Sequence, residues 1–201
     1  MASLTKNHAQ LTAEVARHIE ADLVKQKSYK TCFIGCLAHQ QDDPQYIEDT
    51  YGIPLVLTRI LEAIFEQVAA QEAVELFAAF PAAVAKDGKD LTTVPWKFLV
   101  SILKELPQQP QEIQEVIDPV IAGLSLLAEG KEWAIEDALA ASNAINDIND
   151  AWAARTTRAA AWVARHVVAG AAADGVWVTS ALADVPIECQ KDIILRLITE
   201  A

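Results

Sequence analysis

Cys32, Cys36 and His39 stand at positions i, i+4 and i+7 of one short apolar segment. On a helix turning about 100° per residue, the three side chains leave within about 60° of one another. Two thiolates and one imidazole are ligands that suit zinc. A tetrahedral site needs a fourth donor, and the fold would have to deliver His8, His18, Asp42 or Asp43. Gly35, between the cysteines, would let another chain or a ligand come close. The same spacing also describes the buried face of any helix, and unpaired cysteine is among the most buried residue types. In that reading the cysteines pack in the core beside Phe33 or Ile34. Nucleophilic thiol chemistry would need a base, for which His39 or His18 qualifies by type. The spacing does not match the Cys-x-x-Cys pairs of zinc ribbons and fingers. Successive helical turns also hold two cysteines badly for a disulfide.

A second set is Tyr51, Arg59, Glu62 and Glu66. Arg59 can pair with Glu62 or Glu66, which lie one turn apart. The set reads either as an interaction surface or as an exposed ion pair worth ~0–1 kcal/mol. Asn143, Asp147 and Asp150 repeat the i, i+4, i+7 spacing with oxygen ligands that suit a hard cation. They lack the loop and glycine of a calcium site, and a solvated face or an Asx-rich helix junction is the favoured reading. Trp96, Trp133, Trp152, Trp162 and Trp177 are read as inter-helix packing, unless two of them are exposed together as a partner site. No phosphate loop, dinucleotide fingerprint, Gly-x-Ser-x-Gly elbow or His-Glu-x-x-His pattern occurs.

The elements that must position these residues are helices. Of 201 residues, 36 are Ala, 7 are Gly and 8 are Pro. That composition disfavours many strands joined by many tight turns. Leu11, Val15, His18, Ile19 and Leu23 recur at helical spacing and predict a helix within residues 4–26. Asp43-Pro44 offers an N-cap followed by proline at the first helical position. Pro54 opens a helix carrying Leu55, Ile60, Leu61, Ile64, Phe65 and Val68, with no breaker before Pro81. A turn is predicted at 86–90. Thr92 or Thr93 can cap a helix at Pro95 that buries Trp96, Leu99, Ile102 and Leu103. Pro119 interrupts a later apolar run, where a kink or a junction of two helices is expected. Gly130 is a stop signal. Residues 134–173 contain 16 Ala, and a last helix from Pro186 closes the chain. The expectation is an all-α single domain over 1–201. It takes the form of a compact multi-helix bundle or irregular stacked helical hairpins, with about eight to ten helices. Residues 1–130 would form a motif-bearing half and 131–201 an Ala/Trp-rich half.

Sixteen Lys and Arg against 28 Asp and Glu leave a net charge of −12. Nucleic acid as the main partner needs a cationic track, which this composition does not supply. An anionic membrane surface is disfavoured for the same reason. No run of about 18 apolar residues spans a membrane. Residues 1–10 are polar and do not read as a secretory leader. With three cysteines, this implies reduced thiols and a cytoplasmic location.

Tyr29-Lys30-Thr31-Cys32-Phe33-Ile34-Gly35-Cys36-Leu37-Ala38-His39, then Tyr51-Gly52-Ile53-Pro54, then Ile64-Phe65-Glu66 follow one another in order. Together they resemble a family of small bacterial and phage-associated proteins with no assigned activity. That family has a Cys-x-x-Gly-Cys-x-x-His segment, Tyr-Gly-Ile-Pro and an Ile-Phe-Glu helix. Asp90-Leu91-Thr92-Thr93-Val94 and the Ala-rich tail from Ala151 fit the family's order. Where the family continues with Gly-Leu-Pro, this chain has Gln67-Val68-Ala69. A looser, compositional likeness connects the chain to Ala-rich helical immunity proteins that neutralise bacterial toxins.

No coherent catalytic set emerges, so an enzyme is not the first expectation. The first functional expectation is a soluble, non-enzymatic protein-binding module, immunity-like or phage-associated. Its partner would be a protein, with basic partners favoured by the acidic charge. The alternatives are a metal- or thiol-dependent protein using Cys32, Cys36 and His39, with zinc as the metal, and a homo-oligomeric structural protein. No other cofactor is expected.

Overall fold

The structure, a computed structural model, describes residues 4–28, 30–39, 42–106, 110–146 and 187–201. Among the described residues the fold is all-α, with nine helices and one isolated antiparallel bridge between Leu4 and Asp90. None of these helices is long and apolar enough to cross a membrane. The chain forms two compact units, residues 1–94 with 187–201, and residues 95–186. The change in composition near residue 130 does not coincide with either cut.

The first unit contains α1 (His8–Glu20), α2 (Phe33–Leu37), α3 (Pro44–Tyr51), α4 (Leu55–Gln67) and α5 (Ala70–Val84). The C-terminal helix, Ile187–Glu200, returns to this unit and packs on α4 and α5; it is α9 below. Phe33 lies at the centre, fully buried, with its ring edge-to-face against Phe65, Phe77 and Phe80 at centroid distances of 6.2, 5.5 and 5.3 Å. Such pairs add to simple area burial. α1 is shorter than predicted. It stops at Glu20, and Asp22 takes a positive φ of 51°, which leaves Leu23 outside the helix. The helix after Pro54 does not run on to Pro81. Val68 and Ala69 turn extended, and the Glu72 carboxylate accepts the Ala69 N–H at 3.2 Å to start α5. Here a local cap breaks a segment that has no Gly or Pro to mark the break.

The predicted turn at 86–90 is held by Thr5. Its hydroxyl donates to the Lys86 carbonyl at 2.8 Å and accepts the Lys89 N–H at 2.7 Å. Lys89 is buried, and its ammonium donates to the carbonyls of Ala83 and Thr199. One cation therefore satisfies carbonyls at the C-terminal ends of both α5 and α9, where the helix dipole favours positive charge. Burial, and then the nearby Lys86, lowers the Lys89 pKa from the usual lysine value.

The second unit contains α6 (Val94–Lys104, from Pro95 on), α7 (Gln111–Ala128) and α8 (Ile135–Asn146). Trp96, Leu99, Ile102 and Leu103 are buried as expected. α7 passes through Pro119 as one helix, so no junction of two helices exists there. It ends where predicted, with Gly130 at φ 72° and the Lys131 N–H closing on the Leu126 carbonyl at 2.8 Å. Gly123 on α7 faces Trp133, and any Cβ there would overlap the indole. α7 and α8 pack together. Trp152, Trp162 and Trp177, and the Ala-rich segment beyond residue 146, lie outside the described residues.

Candidate functional site

The segment 32–39 does not form one helix presenting three ligands. α2 is only five residues long, and Cys32 is its N-cap in extended backbone, its Sγ accepting the Gly35 N–H at 3.4 Å. Cys36 lies within α2 and donates its thiol to the Thr31 carbonyl at 3.3 Å. His39 lies beyond the helix with φ 54°, exposed, its ring edge-on to Tyr46 at 5.3 Å. The expected convergence of Cys32, Cys36 and His39 is therefore not formed. The helix ends at Leu37, and the left-handed backbone at His39 carries the imidazole outward.

A different convergence takes its place. The Cys32 Sγ and one carboxylate oxygen each from Glu62 and Glu66 all lie within 4.8 Å of one another. Among the described residues this is the group of three such ligand atoms that the fold brings together. One member comes from the predicted metal set and two from the predicted interaction set. Glu62 and Glu66 are one turn apart on α4, so a single helix face presents both toward the N-cap of α2.

Each carboxylate is oriented by a backbone amide. Glu62 Oε2 accepts the Ile34 N–H at 2.9 Å, and Glu66 Oε2 accepts the Lys27 N–H at 2.7 Å. The loop carrying Lys27 is fixed to the same helix end. The Gln26 side-chain amide donates to the carbonyls of Phe65 and Val68 at 2.6 and 2.8 Å. Lys25 N–H closes the loop on the Thr31 carbonyl at 2.8 Å. The loop before α2 is thus pinned to the C-terminal half of α4 from both of its ends.

Electrostatically the group is anionic and partly desolvated. Burial, then the charge of Glu62 and its hydrogen bond to the thiol, pushes the Cys32 pKa up to about 12. Burial and the charge of Glu62 push Cys36 up to about 12 as well. Burial raises Glu62 too, against the hydrogen bonds from Cys32 and Ile34 that lower it. A thiol held protonated in this way is not a nucleophile, because reactivity follows the thiolate. Cys189, on α9, is exposed. Mixing native protein with an excess of an aromatic disulfide reagent at pH 8 is therefore expected to modify one of the three thiols quickly, Cys189. Cys32 and Cys36 should follow only after unfolding. Rapid modification of all three in the native chain would contradict the buried geometry.

The interaction set is otherwise dispersed. Tyr51 ends α3 on the buried face begun by Ile47 and is 1% exposed, so it is a core residue and not part of a surface. Burial, then the charge of Glu14, pushes its phenol up to about 12. Arg59 pairs with Asp42 at 3.0 Å, not with Glu62 or Glu66, whose carboxylates point to the backbone of other segments. Asn143 is exposed near the end of α8, while Asp147 and Asp150 lie outside the described residues.

No protein-family model matches the chain, and neither a curated protein nor a solved structure matches it.

Proposed function

We propose that the chain is a binding protein whose first unit holds a divalent transition-metal ion of the zinc type on Cys32, Glu62 and Glu66. The observation that carries this reading is the meeting of one thiol and two carboxylates within 4.8 Å. One Zn–S and one Zn–O bond together bridge at most roughly 4.4 Å, so atoms held within 4.8 Å of one another lie in the range that a shared ion draws together. The amides of Ile34 and Lys27 act as the outer hydrogen bonds that ligating carboxylates normally have. A carboxylate has two oxygens, so each of Glu62 and Glu66 can accept an amide on one and meet an ion with the other. A cation would also offset the burial and the Glu62 charge that together keep the Cys32 proton in place. Three protein ligands leave a fourth position open, as in zinc sites that bind a further group. His39 has no part in this set.

Cobalt(II) serves as the probe, because a thiolate ligand gives it a sulfur-to-metal charge-transfer band. The expected result is a band saturating at one equivalent in the full chain, absent in Cys32→Ser and retained in Cys36→Ser. Glu66→Gln should weaken binding at least tenfold, in line with losses seen on removing groups around metal sites. Glu66 is half-buried, so this variant keeps the test decisive if Cys32→Ser does not fold. Absence of a band, or its loss in Cys36→Ser but not in Cys32→Ser, overturns the assignment. The carboxylates are then only caps for the loop backbone.

A further inference from the structure

We infer that the groove between α7 and α8 in the second unit docks a cationic amphipathic helix of a partner protein. The groove has a volume of about 480 Å³. Its floor is small and apolar, with Ala122 and Gly123 from α7 and Ala140, Ala141 and Ala144 from α8. Small side chains let a third helix axis come close, and the Trp133 indole seated on Gly123 stiffens the floor. Leu126 lines the groove and remains 38% exposed, which leaves part of it for an anchor contact.

Charge selects the occupant. Residues 111–146 carry seven acidic side chains (Glu112, Glu115, Asp118, Glu129, Glu132, Glu136, Asp137) and one basic one, Lys131, a net of 1 − 7 = −6. Lys131 is already paired with Glu129 at 2.6 Å. The placement matters more than the total. Glu112 and Glu115 continue the face of α7 that carries Pro119, Ala122 and Leu126, because the spacings of 3, 4 and 7 repeat along it. Both are exposed. Asp137 lines the groove on α8. From Glu112 to Leu126 the face is roughly 21 Å long at 1.5 Å per residue. An apolar stretch is therefore bordered by carboxylates. Its complement is a helix of about four turns with an apolar stripe and Lys or Arg at its ends, bound as a helix in a groove. A second copy of this chain is the wrong occupant, since each copy carries −12 and would present like charge.

The inference is independent of the metal site and is tested on the full chain by fluorescence anisotropy at 0.15 M salt. The probe is an 18-residue helical peptide with a Leu/Ala stripe and Lys at both ends. A scrambled peptide of identical composition is expected to bind at least tenfold more weakly. Leu126→Asn should weaken the ordered peptide at least tenfold. Glu115→Lys, at an exposed position, should weaken it and flatten its salt dependence, and it keeps the test decisive if Leu126→Asn is misfolded. Leu4→Asn, 49% exposed in the first unit, should change nothing. Equal binding of the scrambled peptide would reduce the effect to bulk charge and overturn the inference. So would an unchanged affinity in Leu126→Asn, or a dimer that Leu126→Asn dissociates, which would assign the groove to a second copy.

Discussion

Phe33→Ala lowers the stability of the first unit by about 3–5 kcal/mol, the range for removing a buried aromatic side chain. Phe33 is wholly buried and meets three other phenylalanine rings. Those rings come from α4 and α5, so one truncation opens a cavity shared by three helices. The surrounding helices cannot collapse into it without dragging α2, which is only five residues long. Domains are stable by about 5–15 kcal/mol in total, so a loss of this size reaches a large fraction of the whole. Urea unfolding of the full chain, with hydrogen exchange read separately on α2, α4 and α5, measures it. A second readout ties the change to the site. Phe33 follows Cys32, so the Cys32 thiol should become reactive before global unfolding. A loss below about 1 kcal/mol would show that the four rings are not a cooperative core.

Gly52→Ala is expected to cost about 3 kcal/mol and to release residues 4–6. Gly52 ends α3 at φ 69°, where an L side chain costs roughly 1–2 kcal/mol. The added Cβ would also collide with the backbone carbonyl of Leu4. That carbonyl cannot move alone. Thr5 N–H is bound to the Lys89 carbonyl and Lys6 N–H to the Tyr51 carbonyl, each at 2.9 Å. Moving Leu4 strains both bonds, each contributing about 1 kcal/mol. The amides of Thr5 and Lys6 should therefore exchange with solvent far faster in the variant while those of α4 stay protected. Unchanged protection at Thr5 would mean the segment accommodates the methyl group.

The all-α fold was legible because helical periodicity and capping signals are local. Asp43-Pro44, Gly130 and the apolar face from Trp96 to Leu103 behaved as their residue types require. The break between α4 and α5 was not legible. It rests on Glu72 reaching back to one amide, with Val68 and Ala69 giving no sign of it. The candidate site was half legible for a similar reason. Glu62 and Glu66 sharing a face follows from spacing along α4. Cys32 joining them depends on where α2 begins and on which backbone amides the carboxylates find, neither of which periodicity reports. Treating 32–39 as one continuous helix grouped the cysteines with His39. Helix α2 starts one residue after Cys32 and ends two before His39, which separates them. Tyr51 was misplaced because an aromatic residue with a hydroxyl suits a surface and a core equally well by type.

The return of α9 to the first unit bears on how the protein is made. Synthesis proceeds from the N-terminus, and domains generally begin to fold as they emerge. Here α4 and α5 leave the ribosome with the faces that α9 covers still bare, and residues 95–186 must all be translated before α9 exists. Until then the carbonyl of Thr199 is not there for Lys89 to reach. The nascent first unit is an unfinished core for the time needed to make the second. A premature stop anywhere within residues 95–186 would therefore damage the half of the protein that had already been translated.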